Sequence, residues 1–200
     1  MSIRNILIVY THPSEKSFTY EVFKELLKGL KISNHSIEIS DLYKMGFITD
    51  MSEKEYEREG FARIELPISK DIIREHQKIE KADYIIFLYP VWWSDCPAKL
   101  KGWFDRVYSV GYAYGYDNEE NKTQKMEKIK NGLVICTAGH PNKFLDEIGI
   151  AESMRKVMID DRLGERFDNK EMIILGGTLD LEKVKQKHLD KVLEIGRNVK

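Results

Sequence analysis

Pro90-Val91-Trp92-Trp93-Ser94-Asp95-Cys96-Pro97 sets two indoles side by side in a segment bounded by prolines. Adjacent side chains in a loop cannot both enter one core, and a buried indole needs a partner for its N–H. One of the two is therefore expected to meet a ligand, and a flat conjugated ring is what an aromatic wall stacks. A second segment, Thr11-His12-Pro13-Ser14-Glu15-Lys16-Ser17-Phe18-Thr19, combines hydroxyls, backbone N–H groups and the start of a helix, which together can hold a phosphate. It carries neither Gly-x-Gly-x-x-Gly nor a Walker loop, so a dinucleotide fingerprint and an NTPase are unsupported. A third, Thr137-Ala138-Gly139-His140-Pro141-Asn142, is small enough for close backbone approach and offers amides to a heterocycle's carbonyls. An anion cradle, an aromatic wall and an amide-lined edge suit a ligand with a phosphate and a flat, polar-edged ring, which is flavin mononucleotide in outline. Trp92 would then stack the reacting ring, and His140 is the candidate proton source.

Cys136 with His140 four residues on suggests a rival, a strand-to-helix nucleophile with its base. No glycine elbow surrounds Cys136, and a cysteine flanked by Ile135 and Thr137 is expected to be a buried structural thiol. A metal site built from His12, His140 and a cysteine lacks a spacing that would bring the ligands together, so no metal is expected.

Composition narrows the classes further. The 200 residues carry 32 Lys+Arg against 33 Asp+Glu, a net charge of −1, which argues against nucleic-acid binding because no basic surplus is present to displace counterions. With 42% apolar residues, one domain spanning 1–200 is expected. Apolar runs such as Tyr84–Val91 fall far short of a membrane span, and Met1–Arg4 leads into a strand-like run without a signal-peptide pattern, so no membrane insertion and a cytoplasmic location are expected. Cys96 and Cys136 form no Cys-x-x-Cys pair, and both thiols are expected to be free.

The elements that must position these loops are legible as alternating patterns. Ile6–Tyr10, Tyr84–Tyr89, Leu133–Cys136 and Met172–Leu175 are short apolar runs without clean alternation, as in parallel strands covered on both faces. Ser36–Ser40 alternates, placing Ile37 and Ile39 on one face of a strand nearer the sheet edge. Helical spacing links Phe18, Val22, Phe23, Leu26, Leu27 and Leu30; Ile68, Ile72, Ile73, Ile79 and Ala82; Leu100, Trp103, Phe104 and Val107; and Leu181 through Val199. This predicts an α/β protein with an open parallel sheet of five strands, order 2-1-3-4-5, and helices on both faces. In that order the strands before the three ligand loops are neighbours, and ligands bind beyond their carboxyl ends. Gly46–Leu66 is charge-rich and predicts a solvated helix and loop, while Gly111–Lys130 opens on Gly-Tyr-Ala-Tyr-Gly-Tyr and continues polar.

Thr11-His12-x4-Ser17-Phe18, Asp41-Leu42-Tyr43, Ala82-Asp83-Tyr84-Ile85-Ile86-Phe87, Tyr89-Pro90-Val91-Trp92-Trp93, Pro97-Ala98-x-Leu100-Lys101-Gly102-Trp103-Phe104-Asp105-Arg106-Val107 and Ala113-Tyr114-Gly115-Tyr116 together resemble the flavodoxin-like NAD(P)H:quinone oxidoreductases, a family that includes ancillary subunits of potassium efflux systems. The match runs from Ile6 to about Phe144. The resemblance implies a homodimeric flavoenzyme that takes hydride from NAD(P)H and passes two electrons to a quinone-like acceptor by a ping-pong mechanism. The alternative is a flavodoxin-like electron carrier or a regulatory subunit of a membrane transporter. It also implies that His12, Ser17, Phe18 and Thr19 hold the flavin's phosphate and ribityl chain. Pro90, Val91, Trp92 and Trp93 would line the isoalloxazine, and Thr137, Ala138 and Gly139 would contact its pyrimidine edge. Tyr114 and Tyr116 match aromatics that enter the partner subunit's active site in similar enzymes, and Phe144 stands where animal members have a tyrosine. Thr19 replaces a common Asn and Trp92 a common Gln. The short loops favour FMN, with FAD as the alternative.

Overall fold

The computed structural model describes residues 3–115 and 125–199. Strand β1 (Asn5–Tyr10) leads through the His12 loop into α1 (Phe18–Ile32), followed by β2 (Ser36–Asp41), α2 (Glu53–Gly60), α3 (Lys70–Lys81), β3 (Tyr84–Pro90) and α4 (Ala98–Val107). Next come β4 (Ile129–Thr137), α5 (Asn142–Glu147), α6 (Ile150–Arg155), a π-helical segment (Lys156–Leu163), β5 (Phe167–Leu175) and α7 (Leu181–Asn198). All five strands pair in parallel in the order β2-β1-β3-β4-β5.

Alternation along the central strands divides the core. Leu7, Val9, Ile85, Phe87, Tyr89, Val134 and Cys136 pack with Ile72, Ile79, Leu100 and Trp103 of α3 and α4. Ile6, Ile8, Ile86, Leu88, Leu133 and Ile135 pack with Val22, Leu26 and Leu30 of α1 and Val192 of α7. Both faces of β1, β3 and β4 are thus dry, which explains why these strands read as continuous apolar runs. Strand β5 starts five residues before the apolar run from Met172, because Asp168–Glu171 are exposed on an edge strand.

Helix α1 lies unusually close to α7. A Cβ on Gly196 would stand 2.7 Å from the Leu26 carbonyl oxygen, and one on Gly29 would collide with the Leu193 carbonyl, so the crossing requires the two glycines. This fixes the helix whose amino terminus faces the carboxyl rim of the sheet.

The charge-rich stretch before α3 departs from the solvated helix that its composition predicts. Within it, the Arg58 side chain is buried, and Glu55 ion-pairs with the buried Arg106 of α4 at 2.5 Å. Asp71 approaches the same guanidinium at 2.7 Å. Glu55, which its charged sequence neighbours mark as part of a surface face, instead joins Asp71 and Arg106 in a tertiary clamp between α2, α3 and α4. Short helices α5 and α6 and the π-helical segment have no counterpart in the sequence periodicities.

Candidate functional site

Order reverses between β1 and β3, the first strand being followed on one side by β2 and on the other by β3. The loops leaving β1, β3, β4 and β5 there stand along one carboxyl rim, where an open α/β sheet binds ligands.

The β1 loop builds its own scaffold before it offers anything to a ligand. Ser17 caps α1: its hydroxyl accepts from the Tyr20 amide at 3.1 Å and donates to the Ser14 carbonyl at 2.9 Å. The side chain assigned to phosphate binding is therefore committed to the helix, while the amides of Phe18 and Thr19, in the first turn, have no intrahelical acceptor. The Phe18 ring turns away toward His188 of α7, its centroid 6.2 Å from that ring. Thr19 is buried, its hydroxyl 2.8 Å from that of Thr137, which locks α1 to the end of β4. Burial depresses the His12 pKa, although the Ser14 backbone opposes the shift, so the ring is held neutral at pH 7. His12 Nδ1 stands 3.0 Å from both the amide and the carbonyl of Ser14, so the loop backbone holds the ring through that nitrogen and leaves Nε2 facing away from it. At the end of β1, the buried hydroxyls of Tyr10 and Thr11 have no hydrogen-bond partner among the described residues. Buried polar groups are normally satisfied, and unpaired hydroxyls beside a helix start fit a phosphate-bearing ligand.

The tryptophan loop is a tight reversal. Trp92 N–H donates to the Asp95 carbonyl at 3.0 Å and Asp95 N–H to the Trp92 carbonyl at 3.2 Å. Trp93 and Ser94 between them have φ of 51° and 63°, the signs of a type I′ turn. Neither residue is glycine, and left-handed backbone costs about 1–2 kcal/mol per residue. Trp92 remains 42% exposed with its ring edge-on to His12 at 6.1 Å, and Trp93 is entirely exposed. Neither indole fills the core. The third tryptophan, Trp103, does, with its N–H satisfied by the Glu75 carboxylate at 2.8 Å.

Several groups expected to be available are already engaged. Val91 N–H donates to the Thr137 carbonyl at 2.8 Å, and Ala138 N–H to the Leu175 carbonyl at 3.0 Å. That leaves the Gly139 and His140 amides, which donate to no described residue, as the open part of the polar edge. Pro90 is buried at the end of β3. His140 is exposed, and Phe144 of α5 packs its ring 4.8 Å away. Tyr114 sits beside α2 with its hydroxyl 3.3 Å from Glu59, and Tyr116 lies outside the described residues.

Two contributors escape the sequence patterns. The β5 loop wraps the β4 loop: Gly177 N–H donates to the His140 carbonyl at 2.9 Å, Thr178 N–H to that of Ala138 and Leu179 N–H to that of Gly139, both at 3.1 Å. Leu179 is left 77% exposed on the rim. Arg162, in the π-helical segment, grips the Asp95 carboxylate with two N–H groups at 2.8 and 2.9 Å. Burial would raise the Asp95 pKa, but the hydrogen bonds from Arg162 and the Cys96 amide together outweigh it and hold the carboxyl below its ordinary range. No local motif announces a pairing across 67 residues.

The nucleophile reading fails on burial. Cys136 is fully buried in the sheet and desolvation drives its thiol pKa up. Burial likewise pushes Cys96 up to about 12. At pH 8 a neutral alkylating reagent is expected to leave both thiols unmodified in the native protein and to label both in urea, read by intact mass. Labelling of Cys136 without unfolding would contradict this burial. Among the described residues no helix is long and apolar enough to cross a membrane.

Comparison with known proteins matches these features to relatives. Residues 4–163 match the family described as having a flavodoxin-like fold. A solved structure, the NAD(P)H:quinone oxidoreductase from Methanothermobacter marburgensis, is 42% identical and aligns over 98% of this chain and 97% of its own with a TM-score of 0.90. NAD(P)H dehydrogenase [quinone] 1 of Rattus norvegicus is 36% identical over 157 residues, covering 72% of this chain. This chain spans only 57% of that relative's length. An FMN-dependent NADH-azoreductase from Bacillus anthracis, solved in complex with FMN, shares the fold at 21% identity and a TM-score of 0.70, over 97% of this chain and 98% of its own. A parallel sheet with its switch point between β1 and β3, together with the family match over four-fifths of the sequence, places this chain in the flavodoxin-like fold family.

Proposed function

We propose that this chain is a cytoplasmic, flavin-dependent NAD(P)H oxidoreductase, acting as one domain in a homodimer and passing two electrons as hydride to a quinone or related aromatic acceptor. The observation that carries it is the pair of exposed indoles on a strained turn at the switch point, a costly arrangement with no role in the core. The name of the 42%-identical relative supports the donor and acceptor, and the FMN bound in the azoreductase supports FMN over FAD.

When bound, the flavin supplies the hydride chemistry, and the protein supplies binding, orientation and water exclusion. The first-turn amides of α1, the Thr11 hydroxyl and the His12 ring would hold the phosphate. Trp92 and Trp93 would form the stacking wall above Pro90 and Val91. Gly139 and His140 amides would donate to the polar edge, backed by Thr137 and Ala138. Ser17 and Thr19 act by fixing the helix start, and His140 is placed to hold or release a proton at the open side of the rim. Tyr114 and Tyr116 would reach the acceptor slot of a second copy, and Phe144, exposed beside His140, would line the same slot. Exposed Ile148 and Val157 near α5 and α6 are consistent with a covered face in a dimer.

One slot serving donor and acceptor in turn makes the kinetics ping-pong. Purified protein is expected to yield FMN on extraction or to take it up on reconstitution, to oxidise NADH or NADPH with a quinone, and to give parallel double-reciprocal lines. A protein that takes up neither FMN nor FAD overturns the proposal. Flavin uptake with negligible nucleotide oxidation identifies a carrier instead, and intersecting lines overturn the shared slot.

A further inference from the structure

Arg162 lies far in sequence from every loop of the rim, yet its side chain is only 8% exposed and ends on the tryptophan turn. Its guanidinium is braced on several sides: Nη1 stands 3.1 Å from Met158 Sδ and 3.2 Å from Cys96 Sγ, and the group lies 5.4 Å from the Phe104 ring centroid. From that fixed base two parallel N–H groups meet the two oxygens of Asp95, the last residue of the turn. A fork of this kind sets both position and orientation, which a point charge does not. Asp95 also caps the chain beyond the turn, its Oδ1 accepting from the Cys96 amide at 2.6 Å.

The turn itself is not self-sufficient. Two successive non-glycine residues with positive φ stay in place only when their surroundings over-determine them. The reciprocal backbone bonds between Trp92 and Asp95 close the reversal but do not say where it points. Val91 ties the start of the loop to β4 through the Thr137 carbonyl, and the side-chain anchor at its other end is the carboxylate of Asp95, held by the π-helical segment before β5. The end of the turn that carries both indoles is thus tied to a residue 67 positions further along the chain.

We propose that Arg162 is the positioning residue of the aromatic wall, holding the Trp92–Asp95 turn through Asp95 so that both indoles are presented to the ligand face of the rim. This rests on the flavin reading of the rim for its effect on affinity, but not for its effect on the indoles. The test labels the three tryptophans with 5-fluorotryptophan and compares ¹⁹F spectra of the wild type, Arg162→Met, Arg162→Lys and Asp95→Asn, without flavin, alongside FMN titrations. In Arg162→Met the Trp92 and Trp93 resonances are expected to shift or broaden while that of buried Trp103 stays in place, and the FMN dissociation constant is expected to rise about tenfold. Arg162→Lys, which retains charge but not the fork, should fall between. Unmoved Trp92 and Trp93 resonances with unchanged FMN affinity overturn the proposal. If Arg162→Met does not fold, Arg162→Lys and Asp95→Asn decide it on the same resonances. Moved indoles in a protein whose wild type takes up no flavin would uphold the positioning role and overturn the flavin reading alone.

Discussion

Trp92→Ala is expected to weaken FMN binding by about ten- to a hundredfold, since stacking of a flat heterocycle on an aromatic side chain is worth roughly 1–3 kcal/mol. Trp92 touches His12 only edge-on and remains 42% exposed, so the substitution removes little folded-state packing. Thermal stability should therefore change far less than affinity. Trp93 sharpens the contrast. It is wholly exposed and its backbone sits at a φ of 51°, a conformation glycine adopts without the usual penalty. Trp93→Gly is expected to keep or raise stability, by up to about 1 kcal/mol, while also reducing flavin affinity. Titration by flavin fluorescence and melting of the flavin-free proteins read the two effects separately. If both variants bind FMN as the parent does, the wall is not a flavin wall. A stability loss that matches the affinity loss would make the indoles structural.

Glu75→Ala has the largest expected effect on folding, about 3–5 kcal/mol, the range for removing one partner of a buried ionic group. The carboxylate is fully buried on α3 and serves three neighbours from three elements. One oxygen accepts from the Ser40 hydroxyl at the end of β2 at 2.7 Å and from the Trp103 indole of α4 at 2.8 Å. The other accepts from the Lys78 ammonium at 2.7 Å. Removing it strands an indole N–H in the core and leaves the Lys78 ammonium with the Ser40 hydroxyl as its remaining hydrogen-bond partner among the described residues. Glu75→Gln keeps an acceptor for Trp103 but sets the amide against Lys78, so a smaller loss is expected. Urea unfolding followed by tryptophan fluorescence measures both. A loss under about 1 kcal/mol for the alanine variant would mean that Lys78, which is 18% exposed, reaches water and relieves the site.

Much of the fold is legible in the sequence because the central strands are buried on both faces. Ile6–Tyr10 and Tyr84–Tyr89 are apolar throughout for that reason, and the helical spacings from Phe18 and Leu100 record which helix faces cover them. Where burial is one-sided or local, the signal fades. The polar start of β5 looks like a loop, and α5 and α6 are only six residues each, too short for a periodicity to develop. The candidate site divides in the same way. Its loops are legible, since Trp92-Trp93 and the glycine-bearing Thr137–Asn142 turn have unusual side chains for loops. Which of their atoms remain open is not, because that depends on neighbours distant in sequence. Ser17 and Thr19 have the right hydroxyls, and both are committed to protein partners. Ala138 has the right amide, and Leu175 takes it.

Alternating strand and helix patterns, with residue types that suit a phosphate and a flat ring at three strand ends, are enough to determine a doubly wound sheet and the rim at which it binds. Local periodicity and composition carry that information because each element must bury its own apolar face. Only the tertiary structure decides that Arg162 anchors the tryptophan turn, that Arg106 gathers Glu55 from a stretch that looks solvated together with Asp71 of α3, and that the Gly139 and His140 amides remain for a ligand. The physical reason is that hydrogen bonds and ion pairs between elements depend on where the chain has been brought. A charged side chain has no periodicity to reveal its partner until packing has set the distance between them.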